Sequence, residues 1–306
     1  MRALLAPLVI AALVAGLLAI GCASQVGGDA SSGSGKLEVV AAENFWGSLA
    51  AQLGGVRVRV HSIIVNPATD PHSYEPTAAD ARAMAGARLA IVNGLGYDEW
   101  ASKLLAASPL EGRAVLDVGS LLGLRAGANP HRWYYPSDVR AVVRQIVRDY
   151  DRLDPSSRAY FARREELLET RGLARYEELL RELRERYAGV AVGYSESIFE
   201  GLGEYVGLKL VTPYGFAKAI AEGGEVTAQD KRTVDRQAET HEIAVWVLNS
   251  QNVTPDVQRV SELARAAGIP IATVTETLSP AHDSFEQWQV AELEGLRRAL
   301  RRATGR

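Results

Sequence analysis

Four side chains, far apart along this chain, have the types and surroundings that hold a metal ion. His72 lies in "NPATDPHSYEPTAAD", residues 66–80, which Pro67, Pro71 and Pro76 punctuate and which reads as a loop between two apolar runs. The histidine is fixed between a proline and Tyr-Glu-Pro. A structural histidine needs less support, whereas a ligating imidazole must be aimed before the ion arrives. His131 sits in a second loop of this kind, "NPHRWYYPSD", and Glu196 and Glu276 close the apolar runs "GVAVGYSE" and "IPIATVTE". Two ring nitrogens and up to four carboxylate oxygens suit Zn²⁺, Mn²⁺ or Fe²⁺. Singly, each residue is ordinary: a histidine in a proline-rich loop usually bonds within its own fold, and a strand-end glutamate usually caps a helix or faces water. His61, within a strand, and His241, in a charged loop, are read that way.

The elements that must position these four alternate. "LEVVAAEN", "VRVHSII", "RLAIVNG" and "AVLDVG" read as strands, with helices between them at "NFWGSLAAQLGG", after a Thr77/Asp80 capping box, and at "DEWASKLLAAS". From Ser137 the apolar residues recur at helical spacing until Asp154-Pro155. Residues 156–187 are almost all helix formers, dense in Arg and Glu, and read as a rigid strut rather than a coiled coil, because strands resume at "GVAVGYSE", "LKLVTP", "EIAVWVLNSQ" and "IPIATVTE". The expected fold is α/β: two lobes, each a parallel β-sheet flanked by helices, joined by a long rigid backbone helix. The boundaries are 37–155 for the first lobe, 156–187 for the connecting helix and 188–306 for the second. Each half has four strand-like runs, yet no repeat is visible residue by residue.

Ligands of parallel sheets bind outside the carboxyl ends of the strands. The first lobe would supply His72 and His131, the second Glu196 and Glu276. Glu43 and Asn44 end the first strand and should border the same crevice. Asn44 is read as a helix cap, and Glu43 as an acceptor for a ligand histidine's N–H or an alternative ligand. His282 and Asp283 rival Glu276, although Asp283 with Glu286 resembles a capping pair. Tyr74, Trp133 and Tyr134 are read as packing that seats the loops, and Trp100 as core.

The whole chain of 306 residues is 47% hydrophobic and 23% charged with a net charge of −3. That is a globular composition with room for two cores, and no basic block interleaved with aromatics argues for nucleic acid. The N-terminus, "MRALLAPLVIAALVAGLLAIGCAS", resembles a bacterial lipoprotein signal: Arg2, an apolar run, then Gly21 before Cys22, the one cysteine. Residues 1–21 would be removed, Cys22 lipidated, and residues 22–36 would form a Gly/Ser linker. A transmembrane anchor is the competing reading of the same run.

"DPHSYEPTAADARAMAGARLAIVNGLGYDEW" followed by "NPHRWYYPSD" resembles the cluster A-I substrate-binding proteins of zinc and manganese ABC importers. The resemblance extends from Leu37 to the C-terminus. It implies two lobes joined by a long helix, with one metal ion between them as transported ligand. The family's histidine ligands fall on His72 and His131, its third position on Glu196, and its fourth, usually aspartate, on Glu276. The glutamate at the third position leans toward manganese and the intrinsic affinity order toward zinc, so the metal stays open. The absence of a His-rich acidic loop and the glutamate at the fourth position are departures. The implied protein is a monomeric lipoprotein on the outer face of a bacterial cell membrane, serving a permease with its ATPase. A lipid-anchored metallohydrolase is the alternative, but four protein ligands would leave no place for water, and neither H-E-x-x-H nor G-x-S-x-G is present. A surface adhesin on the same fold is the other.

Overall fold

The computed structural model describes residues 35–306 apart from 70, 72 and 73. Cys22, the signal-like segment, most of the linker and His72 lie outside the described residues.

The first half runs β1 (Leu37–Glu43), α1 (Asn44–Gly54), β2 (Val58–Ile64), α2 (Ala78–Gly86), β3 (Leu89–Val92), α3 (Glu99–Ala107), β4 (Ala114–Asp117) and a single turn, α4 (Val118–Leu121). After α5 (Pro136–Leu153), α6 (Arg158–Leu167) and α7 (Ala174–Tyr187), the second half runs β5 (Ala191–Tyr194), α8 (Glu200–Tyr205), β6 (Lys209–Leu210), α9 (Tyr214–Ala221), α10 (Ala228–Glu239), β7 (Val245–Asn249), α11 (Pro255–Ala266), β8 (Ile271–Val274) and α12 (Phe285–Thr304). The sheets have strand orders β2-β1-β3-β4 and β6-β5-β7-β8, with every pairing parallel. The two orders are one topology used twice, a repeat carried by the connections and not by matching residues.

Strand alternation divides the core. Val39, Ala41, Leu89 and Ile91 face one side of the first sheet, while Val40, Ala42, Ala90 and Val92 face α2 and α3. In the second sheet Val245 and Val247 face inward, and Trp246 and Leu248 pack under α9 to α11. The inward faces belong to one continuous cluster that also takes residues from α1, α5, α6, α7 and α12. The halves therefore share a core in addition to owning one each. Helix α12 binds them further: Ser48 Oγ accepts from Phe285 N at 2.9 Å, and Gln52 donates to Glu286 at 2.8 Å.

Three local expectations are corrected. The connection is helical but is not one uninterrupted helix, because a π-turn at Leu168–Gly172 separates α6 from α7. Asn44 does not cap α1; its Oδ1 accepts Leu278 N at 3.3 Å, across the halves. At the start of α12 the capping box is Ser284 with Gln287, one residue beyond the expected Asp283/Glu286 pair. The Thr77/Asp80 box at α2 is present.

Candidate metal centre

In each sheet the chain moves outward from the central strand one way and then the other, which opens a crevice at the carboxyl ends of β1/β3 and of β5/β7. The β5/β7 register pairs Tyr194 with Val247, so two residues on Glu196 stands level with Asn249. Both strands are short and buried, and they fix the Cα positions from which the two side chains leave.

Here the structure brings together His131, Glu196 and Glu276. One ligand atom from each lies within 4.8 Å of the others, and all three residues are buried. His131 Nε2 stands 3.5 Å from Glu276 Oε2. Asn129 Oδ1 lies 2.8 Å from His131 Nδ1 and also accepts the His131 backbone N–H, and Asn129 Nδ2 donates to Ser197 O at 2.7 Å, which fixes the amide's orientation. An amide oxygen only accepts, so Nδ1 carries a proton and Nε2 is the ring nitrogen turned to the carboxyls. Trp133 and Tyr97 stand edge-on to the imidazole and hold its plane.

Neutral donors order the carboxylates. Asn249 Nδ2 donates to Glu196 Oε1 at 2.9 Å and to Glu276 Oε1 at 2.8 Å. Asn252 Nδ2 donates to Glu196 Oε2 at 2.6 Å, and Tyr97 Oη to Glu276 Oε2 at 3.1 Å. Gln251 Oε1 accepts the Glu276 backbone N–H at 2.6 Å. Burial, and then the neighbouring Glu196 carboxylate, push Glu276 well above the usual carboxylate range. The Tyr97 phenol, buried beside carboxylates, is likewise raised and stays a donor. Two carboxyls side by side, served by an amide and a phenol, gain most from a divalent cation that both can coordinate.

The other expected residues are placed as follows. Pro67, Ala68, Thr69 and Pro71, which flank His72 in sequence, line a cavity of about 550 Å³ together with Gln251, Asn252 and Glu276. His282 is 86% exposed, 3.8 Å from Asp283, and neither joins the three-residue cluster. Glu43 is buried and accepts no hydrogen bond among the described residues. Burial and the adjacent Asp98 raise it well above its ordinary value. The acceptor for the His131 N–H is Asn129, not Glu43. Asp98 in turn ties the loop before Tyr97, accepting Asn93 N at 2.6 Å and Gly94 N at 2.8 Å. Trp100 is core and stacks edge-on with Tyr74. The sequence reading missed Tyr97, Asn129, Asn249 and Asn252. Asn249 ends β7, so the strand-end argument applied to the glutamates would have found it too.

Paired parallel sheets meeting at a buried histidine and two carboxyls define a two-lobed α/β protein with a candidate metal centre between its halves. Residues 39–299 match the family described as zinc-uptake complex component A, periplasmic, and the chain belongs to that family. A manganese-binding lipoprotein, MntA, of Halalkalibacterium halodurans is 32% identical over 146 residues, 47% of this chain and 48% of that one, so this match spans about half the relative's length. FimA, a metal ABC transporter substrate-binding lipoprotein of Streptococcus parasanguinis, is 27% identical over 279 residues, 85% of this chain and 84% of that one. Among solved structures, the periplasmic zinc-binding protein TroA of Treponema pallidum superposes with a TM-score of 0.71 at 16% identity, over 87% of this chain and 99% of that one. FpvC of Pseudomonas aeruginosa, in complex with Mn²⁺, gives 0.69 at 20% identity, over 88% and 100%. These two likenesses establish the fold.

Proposed function

We propose that the protein is an extracytoplasmic lipoprotein that captures one divalent transition metal ion, zinc or manganese, between its two sheets and delivers it to the permease of an ABC importer. The observation that carries this reading is the His131, Glu196 and Glu276 cluster, with ligand atoms drawn from both halves and within 4.8 Å of one another. The names of the relatives, metal ABC transporter substrate-binding lipoproteins among them, support the transport role and the lipid anchor at Cys22. His72 is proposed as the fourth ligand, because its neighbours line the cavity that Glu276 also lines.

Each residue has a definable part. His131 offers Nε2 because Asn129 holds the proton on Nδ1. Burial and the Glu196 carboxyl disfavour the ionised form of Glu276 and a bound cation favours it, so capture is coupled to proton release. Tyr97 and Asn249 keep the carboxylates aimed while they change charge. Histidine comes from one half and the carboxylates from the other, so release to a permease requires the halves to part. Four protein ligands close the coordination shell, which suits a carrier and not a hydrolase.

The test is isothermal titration of metal-free protein with Zn²⁺ and with Mn²⁺, alongside elemental analysis of protein from its native host. One equivalent bound by wild type and lost in His131→Ala is expected. Binding no tighter than about 1 mM for both ions would overturn the reading.

A further inference from the structure

A second buried polar cluster lies behind the metal centre and spans the same two halves. Tyr134 follows His131 by three residues, and Thr275 immediately precedes Glu276. Between them stands Glu292 of α12, half-buried, with its carboxyl end enclosed. The geometry points to Glu292, protonated, as a positioning residue that fixes the loop bearing His131 against the loop bearing Glu276.

Counting protons carries the argument. Tyr134 Oη lies 2.9 Å from Thr275 O and 2.5 Å from Glu292 Oε2. Thr275 Oγ1 lies 2.9 Å from Thr277 O and 2.9 Å from Glu292 Oε1. The two hydroxyls bring one hydrogen each, too few for these four oxygen–oxygen contacts even with the Trp288 N–H serving one pair. Were Glu292 a carboxylate, Tyr134 would have to choose between it and the Thr275 carbonyl. A proton on Glu292 Oε2 donates to Tyr134 Oη and frees the phenol to donate to Thr275 O. The Trp288 N–H, 2.7 Å from Thr275 Oγ1 and 2.9 Å from Glu292 Oε1, bridges the remaining pair. The Thr275 backbone N–H closes the ring by donating to Tyr134 Oη at 3.2 Å.

The environment agrees with this count. Burial raises Glu292 to about 8, so it holds its proton at neutral pH. Tyr134, raised well above its ordinary value by burial, remains a phenol. The acid thus completes a tie between Tyr134 on one half and the backbone of Thr275 on the other. Its consequence for metal rests on the capture reading above; the tie itself does not.

The experiment compares wild type with Glu292→Gln, Glu292→Leu and Tyr134→Phe. Amide hydrogen exchange at Thr275 is read in metal-free protein, and Zn²⁺ affinity is read by competition with a chromogenic chelator. Glutamine, like the protonated acid, can turn an N–H donor to Tyr134 and a carbonyl acceptor to Trp288, and is expected to keep both the Thr275 protection and the affinity. Glu292→Leu and Tyr134→Phe are expected to lose that protection and to weaken Zn²⁺ about tenfold or more, the range of a lost supporting residue at a metal site. If Glu292→Leu does not fold, the Gln and Phe variants still decide. Glutamine behaving like the phenylalanine variant, or Tyr134→Phe leaving the Thr275 amide protected, overturns the proposal. A wild type that binds no Zn²⁺ would count against the capture reading alone, because the exchange arm would still report the tie.

Discussion

Glu43 and Glu196 occupy equivalent places in the two sheets, each leaving the carboxyl end of the central strand level with an asparagine of the next strand. Continuing the β1/β3 register puts Glu43 beside Asn93, as the β5/β7 register puts Glu196 beside Asn249. The two have diverged in surroundings. Glu196 receives amides from Asn249 and Asn252, whereas Glu43 is turned against Asp98 and receives none among the described residues. A twice-used topology therefore presents two strand-end carboxyls, and one of them belongs to the candidate metal cluster.

Glu43→Gln is expected to leave metal affinity close to wild type, because Glu43 is not in the ligand cluster. The same change is expected to raise thermal stability above about pH 6, since it removes a buried carboxyl pressed against Asp98. Thermal melts and chelator competition on one preparation read both effects. A large loss of metal affinity would return Glu43 to the binding site.

Glu276 and His282 separate cleanly in space, and their variants should do so in binding. Glu276→Ala removes a buried ligand atom and is expected to weaken metal by more than about 100-fold, beyond what a supporting residue costs. His282→Ala alters an exposed side chain and should change affinity little. Circular dichroism controls for folding. The reverse pattern would move the ligand assigned to Glu276 into the loop after Pro280.

How much of this was legible follows from what each residue type announces. His131, Glu196 and Glu276 could be read because a strand end or a proline pins the backbone and the side chain has an obvious metal chemistry. Tyr97, Asn129, Asn249 and Asn252 carry no such mark, since neutral donors become functional only through what they face. The π-turn at Leu168–Gly172 was hidden because residues 156–187 are helix formers throughout, and the interruption changes the pairing pattern and not the composition. Strand β6 shrank to Lys209–Leu210 because only the first residues of "LKLVTP" pair with β5 before Pro213 turns the chain. Asn44 has the residue type of a cap, but its side chain found a backbone N–H from the other half, a contact that no local pattern encodes.

Asn129 should matter to metal binding without touching the ion. It fixes the His131 tautomer and ties that loop to Ser197 and Glu200 of the other half. Asn129→Ala is expected to weaken metal by about 10- to 100-fold with little change in secondary structure. Imidazole proton–nitrogen correlations in metal-free protein should show the His131 Nδ1–H in wild type and a tautomer mixture in the variant. An unchanged affinity would show that packing against Trp133 and Tyr97 orients the ring unaided.

The last prediction concerns pH and metal together. Glu43 and Glu276 are raised well above 4.5 in the folded protein, Glu292 to about 8, and Asp98 from 3.8 to about 6. Between the unfolded and folded values of each group the native state holds more protons than the unfolded chain. Metal-free stability therefore declines as pH rises through that window. Asp80 and Glu294 are lowered, so their contribution is present above their ordinary values and is lost as pH falls through the folded ones. The melting temperature in chelator should thus peak near about pH 4 and fall toward about pH 8. Metal reverses the Glu276 part of the decline, because it takes the place of the proton. The stabilisation conferred by Zn²⁺ should consequently grow from about pH 5 to 7.5. Glu276→Gln should make the metal-free decline shallower, leaving the shares of Glu43, Glu292 and Asp98, and abolish the growth. Melts at fixed ionic strength, with chelator and with Zn²⁺, measure both curves. A metal-free protein whose stability rises steadily from pH 5 to 8 would mean that the buried acids are ionised at no cost, and the assigned site chemistry would fail with it.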